Sequence, residues 1–182
     1  MKILLLNPPF LKKFSRPQRS PAVTKSGTLY FPMWLSYAAA VLDKEGFEID
    51  LIDAPADGYD LSYVLERADR LRPGLIVLDT STPSIYNDVK VAESLKDKLP
   101  DAFIVLAGTH VSVLPEETLK LSSKIDAIAI HEYDYTLRDI AVTLRDGRDI
   151  NGVSGIAYRN GNEIIRTPTR PYIENLDELP FV

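Results

Sequence analysis

Five short apolar runs recur along the chain: Ile3–Leu6, Ile49–Ile52, Leu75–Leu78, Phe103–Ala107 and Ala127–Ile130. Each has the length of a strand and is almost unbroken in apolar character. Strands buried on both faces read this way, and parallel sheets are the sheets buried on both faces. Between the runs the spacing of apolar residues changes to a helical period. Met33 to Lys44 is apolar almost all round, with Gly46 as its predicted C-terminal stop. Asp60 is a predicted N-cap for a stripe of Leu61, Val64, Leu65, Ala68 and Leu71. Thr82-Pro83 reads as a cap and first turn ahead of Ile85, Val89, Ala92, Leu95 and Leu99. A short helix is predicted from Pro115, with Glu116 and Glu117 placed where acids suit the helix dipole. A last helix runs from about Asp134, with Leu137, Ile140, Ala141 and Leu144 facing inward.

Strands alternating with helices imply right-handed βαβ crossovers. Five such units predict an α/β, flavodoxin-like (Rossmann-like) doubly wound parallel sheet of order 2-1-3-4-5. After that the period shortens. Val153–Arg159 and Glu163–Thr167 flank Asn160-Gly161, a two-residue hairpin signal. Residues 168–182 carry prolines and acids and read as an extended linker. The expected division is therefore an α/β domain over 1–150, then a β-hairpin and linker over 151–182. The stop on Leu179-Pro180-Phe181-Val182 suggests a domain cut from a longer protein.

Composition narrows the class. An apolar fraction of 45% with 26% charged residues is ordinary for a soluble globular protein. The net charge of -5 argues against nucleic acid or an anionic membrane as the main partner. The absence of cysteine excludes disulfides, thiol nucleophiles and an iron–sulfur cluster within these 182 residues. Two histidines, His110 and His131, are too few for an ordinary zinc site. The apolar run after Met1 is too short for a signal peptide or a membrane span, so a cytoplasmic location is expected.

In open α/β sheets, ligands bind outside the carboxyl ends of the strands. That rule selects the loops Asn7-Pro8-Pro9, Asp53-Ala54-Pro55, Asp79 to Pro83, Gly108-Thr109-His110 and His131 to Asp134. Thr80, Ser81 and Thr82 set three hydroxyls before a helix, suited to ligand amides or an anion, with plain capping as the alternative. Gly108 lets a flat ligand approach the backbone, or simply makes a turn. The first loop is long and carries Lys12, Lys13, Arg16, Arg19 and Lys25 with no acid among them, a solvated loop or a docking surface. A receiver-domain reading of Asp79 lacks its acidic pair and its lysine, since Asn7 and His131 stand there. A flavodoxin phosphate loop is also missing, because Pro8 and Pro9 remove two backbone donors. No GxGxxG, Walker or GxSxG motif occurs.

Several segments, in order, resemble the N-terminal cobalamin-binding domain of the B12-dependent radical SAM proteins, a group of methyltransferases and anaerobic cyclases. They are ILLLNPP, Phe31-Pro32 leading to Ala38–Leu42 and Glu45-Gly46, Asp50–Asp53, DTSTPSIYNDVKVAESLK, AGTHVSVLPEETL and GIAYRNGNEIIRTPTRPYIENLDELPF. The family usually has Gly-Glu-Gly-Glu-x-Thr after its fifth strand. Here that stretch reads His131-Glu132-Tyr133-Asp134-Tyr135-Thr136, and Ala107 and Thr109 stand where Gly and Pro are usual. The resemblance implies that Asn7, Pro8, Pro9, Thr80, Ser81, Thr82, Gly108, Thr109, His110, Glu132, Tyr133 and Asp134 contact a cobalamin. It implies no histidine ligand from Asp-x-His-x-x-Gly, because neither histidine lies in that pattern. It also implies a radical SAM barrel in cis beyond residue 182, which would hold S-adenosylmethionine and the [4Fe-4S] cluster. This chain alone would bind and not catalyse. Two other readings stay open: an interaction domain that has lost the cofactor, motivated by the two replaced glycines, and a flavin or nucleotide binder.

Overall fold

The apolar runs become the strands of one sheet in the computed structural model, which describes residues 1–16 and 29–181. Arg19 and Lys25 of the basic loop, and Val182 of the tail, lie outside the described residues. The strands are β1 (Lys2–Asn7), β2 (Glu48–Asp53), β3 (Leu75–Thr80), β4 (Phe103–Gly108), β5 (Ala127–Ala129), β6 (Ile156–Asn160) and β7 (Glu163–Arg166). The sheet order is β2-β1-β3-β4-β5-β6-β7. The first five strands are parallel in the expected 2-1-3-4-5 order. The hairpin β6–β7 pairs antiparallel to β5, so it extends the same sheet.

Successive strand residues face opposite sides, which splits the core into two layers. Leu4, Leu6, Ile76, Leu78, Ile104 and Leu106 pack against α3 (Leu61–Leu71) and α4 (Ile85–Lys98). Ile3, Leu5, Leu75, Val77 and Val105 pack against α1 (Met33–Lys44) and α7 (Asp134–Arg145). Nearly all are fully buried, each worth about 1.5–3 kcal/mol relative to exposure. Buried faces on both sides are what make the strand sequences read as unbroken apolar runs.

Local signals set the helix ends. Asp60 caps α3 by accepting from the Tyr63 N–H at 2.9 Å. At the end of α1, Gly46 adopts φ +85°. Its N–H reaches the Asp43 carbonyl at 2.8 Å, and the Phe47 N–H reaches that of Leu42 at 3.2 Å, a Schellman pair. Other expectations need correction. Thr82-Pro83 does not open α4. Residues 81–84 make a turn, with the Ser84 N–H on the Ser81 carbonyl at 3.1 Å, and the helix starts at Ile85. The hairpin loop is Gly161-Asn162, because Asn160 pairs with Glu163. Gly161 holds the first loop position at φ +59°, the Gly-X form of a two-residue turn. Two short helices also replace expected loops: α2 (Ala54–Asp57) after β2 and α5 (Thr109–Val113) after β4, ahead of α6 (Pro115–Leu121).

Candidate functional site

The carboxyl ends of β3, β4 and β5 open into a cavity of about 900 Å³ with a mainly apolar lining. Asp79, Thr80 and Gly108 come from the strand ends, and Thr109, Ser112 and Val113 from α5. The loop His131–Asp134, the start of α1 (Met33, Trp34, Tyr37) and the tail (Tyr172, Ile173, Leu176, Leu179) supply the other walls. Met33 and Trp34 explain why α1 reads as apolar all round. They are 46% and 60% exposed because they face the cavity, while Leu35, Ala38 and Leu42 face the core.

The expected site residues divide into two groups. Thr80, Gly108, Thr109, Glu132, Tyr133 and Asp134 line the cavity. Asn7, Pro8, Pro9, Ser81, Thr82 and His110 do not line it; they buttress the wall around it. The Asn7 amide donates to Asp53 Oδ1 at 2.6 Å. The Pro8 carbonyl accepts from Arg16 at 2.8 Å, and that of Pro9 from Asn87 at 2.7 Å. Ser81 Oγ lies 2.9 Å from Ser84 Oγ, and Thr82 Oγ1 lies 3.3 Å from His110 Nδ1. Arg16, read from sequence only as part of a basic loop, turns inward. It lines the cavity and forms a buried ion pair with Asp88. Nothing local in the sequence marks this, because the pair joins residues 72 positions apart.

Gly108 has a definite structural role. Its φ is +111°, and an added Cβ would lie 2.8 Å from Asp79 Oδ1 and 2.9 Å from the Thr80 backbone nitrogen. The missing side chain therefore lets the end of β4 lie close against the end of β3 at the cavity floor.

Burial holds the Asp79 and Asp134 carboxyls nearer to neutral than free carboxylates. Burial pushes the Asp79 carboxyl up to about 7, against the pull of Arg16. Burial likewise lifts Asp134 to about 6, with the Glu132 charge adding to it. Tyr133 is raised well above its ordinary value by burial, then by Asp79 and Asp134. Its hydroxyl is buried without a hydrogen-bond partner among the described residues. An acid that keeps its proton up to about neutral pH and a neutral phenol disfavour a phosphate there, and a large, mainly apolar cavity suits a bulky ligand. No cluster of His, Asp or Glu able to hold a bare metal ion occurs among the described residues. His110 stands away from the cavity, and His131 lines it with its ring 6.0 Å from that of Tyr172.

Comparison with known proteins points the same way. The profile of the family described as B12 binding domain matches residues 19–141. An uncharacterized methyltransferase of Pyrococcus horikoshii is 29% identical over 181 residues, spanning 100% of this chain and 38% of the relative. The anaerobic magnesium-protoporphyrin IX monomethyl ester cyclase of Rubrivivax gelatinosus is 30% identical over 153 residues, spanning 81% and 28%. The chain thus covers well under half the length of these curated relatives. Among solved structures, the cobalamin-dependent S-adenosylmethionine radical enzyme OxsB, with aqua-cobalamin and S-adenosylmethionine bound, superimposes with a TM-score of 0.77 at 16% identity over 94% of this chain and 22% of that one. The radical S-adenosylmethionine methyltransferase TsrM from Kitasatospora setae, with cobalamin and a [4Fe-4S] cluster bound, gives 0.73 at 19% identity over 99% and 31%. At those identities the structural likeness speaks for the fold.

Proposed function

The chain belongs to the B12-binding domain family, and from that premise we propose that the strand-end cavity is where it holds cobalamin. One observation carries the placement. The loops after β3, β4 and β5, which the sheet rule selects without reference to any ligand, converge on a single large apolar cavity. Thr80, Gly108, Thr109, Glu132, Tyr133 and Asp134 are the residues that would hold the cofactor, with Asn7, Pro8, Pro9, Ser81, Thr82 and His110 supporting them. When bound, cobalamin supplies methyl-transfer or electron chemistry at its cobalt.

The chain's own residues supply position and environment. Gly108 leaves the floor free of a side chain, and α1 and the tail supply apolar walls. Asp79 keeps its proton on the carboxyl up to about neutral pH, so the floor presents a donor instead of a charge.

The wider role is a module of a radical SAM methyltransferase or cyclase, with the barrel in cis beyond residue 182 carrying S-adenosylmethionine and the [4Fe-4S] cluster. The methyltransferase and cyclase relatives support this reading. No helix among the described residues is long and apolar enough to cross a membrane. With the acidic balance, that fits a cytoplasmic module whose partners are cobalamin and the barrel and not nucleic acid or lipid.

The test is retention. The chain is incubated with hydroxocobalamin, desalted and read in the visible range. Retained corrinoid at about one per chain is the expected result. Retained flavin, or no chromophore on a folded chain, overturns the reading.

A further inference from the structure

Among the described residues, the cavity walls other than the tail are held by elements packed into the core or, for Arg16, by its buried pair with Asp88. The strand ends are hydrogen-bonded in the sheet, and α1, α5 and the start of α7 rest on it. The exception is the tail. Its upstream part is clamped: the Gly155 N–H donates to the Pro168 carbonyl at 2.8 Å, and Arg170 Nε to Thr136 Oγ1 at 2.9 Å. Arg170 also pairs with Asp139. Beyond Arg170 the chain is irregular apart from a single 3₁₀ turn at Leu176–Glu178. Tyr172 and Leu176 are both 65% exposed, although both line the cavity.

Among the described residues, one hydrogen bond ties the 171–181 stretch to the rest of the chain. The Ile173 N–H donates to Glu132 Oε2 at 2.8 Å. Glu132 is itself a cavity wall residue, on the loop after β5. One carboxylate therefore serves both the cavity and the segment beside it. A stretch with few buried contacts and one tether opens at low cost.

We propose that Glu132 is a positioning residue whose carboxylate pins the 171–179 strap along the cavity, so that the strap detaches there for cofactor to enter or leave and pins again to retain it. This rests on the cobalamin reading above. The strap hinges after Arg170, whose contacts to Thr136 and Asp139 stay in place. Apolar Leu176 and Leu179 then close over the ligand when the pin is made.

Three variants of the 182-residue chain test it. Glu132→Ala removes the acceptor, Ile173→Pro removes the donor, and Glu132→Gln keeps an acceptor oxygen. Two quantities are measured: amide hydrogen exchange across residues 171–179 without cofactor, and the dissociation rate of hydroxocobalamin after loading. In the Ala and Pro variants both should rise about tenfold, the scale of one lost charge-assisted hydrogen bond. The Gln variant keeps only a neutral hydrogen bond to the Ile173 N–H and should lie between the unsubstituted chain and the Ala variant in amide exchange. Unchanged exchange in the Ala and Pro variants overturns the pin. Faster exchange with unchanged cobalamin release overturns the gating. A chain that takes up no cobalamin overturns the functional reading and the gating with it, while the exchange data still decide the pin.

Discussion

Arg16 and Asp88 lie 72 positions apart and form an ion pair with side chains 1% and 0% exposed. The pair ties the first loop to the first turn of α4. Ser84 Oγ donates to the same carboxylate at 2.6 Å, and Arg16 also bonds Asn7 and the Pro8 carbonyl. Removing one partner leaves the other charged and buried. Arg16→Met or Asp88→Asn should each cost about 3–5 kcal/mol. The double variant Arg16→Met/Asp88→Leu should cost clearly less than the sum of Arg16→Met and Asp88→Leu measured singly. Urea unfolding of the four chains checks this, and strict additivity would show that the pair is not coupled.

Gly108→Ala meets two penalties at once. A positive φ costs an L residue about 1–3 kcal/mol, and overpacking against Thr80 and Asp79 costs about 1–3 more. The expected result is a loss of several kcal/mol in denaturant unfolding and a weakened corrinoid uptake.

The two positions where related domains carry glycine differ physically in this chain. His131 sits at φ +62°, in the left-handed region. Tyr133 has φ -104° and is 5% exposed, filling the core. His131→Gly should leave stability unchanged or raise it by up to about 1 kcal/mol. Tyr133→Gly should cost roughly 3–5 kcal/mol through the cavity it leaves. Thermal melts of the two single variants separate backbone strain from packing.

Asp79 makes stability depend on pH. The unfolded carboxyl loses its proton near 3.8, the folded one near 7. Between those values the folded state holds the extra proton, so stability falls as pH rises and levels off above about 7. Asp134, raised to about 6, adds a contribution of the same sign. Asp79→Asn should flatten the slope, with its Tm advantage over the unsubstituted chain growing from pH 5 to pH 7.5. A constant difference across that range would contradict the buried, proton-holding role.

The parallel core and its order were legible because burial on both faces leaves unbroken apolar runs, and because Asp60 and Gly46 act through local hydrogen bonds. The start of α4 was misread, because Pro83 suits a turn as well as a first helical residue and the Ser84–Asp88 contact that settles it cannot be seen in one dimension. Of the five loops that the sheet rule selects, those after β3, β4 and β5 line the cavity, while Asn7-Pro8-Pro9 and Asp53-Ala54-Pro55 do not. The depth of the site was not legible. Arg16 reaches the cavity by folding back, and Tyr172 to Leu179 reach it because the hairpin joins the sheet beside β5. Both depend on contacts between distant parts of the chain.

Thr109 offers the most direct test of the central claim, since it is exposed and its side chain faces the cavity without serving the core. Hydroxocobalamin is titrated into the unsubstituted chain and into Thr109→Trp, followed by visible absorption, with far-ultraviolet circular dichroism confirming both folds. Binding at micromolar protein by the first, weakened at least about tenfold in the second, is the predicted result, a bulky ring in a filled cavity being costly to accommodate. No binding by the unsubstituted chain, or equal binding by both, would contradict the assignment of this cavity to cobalamin.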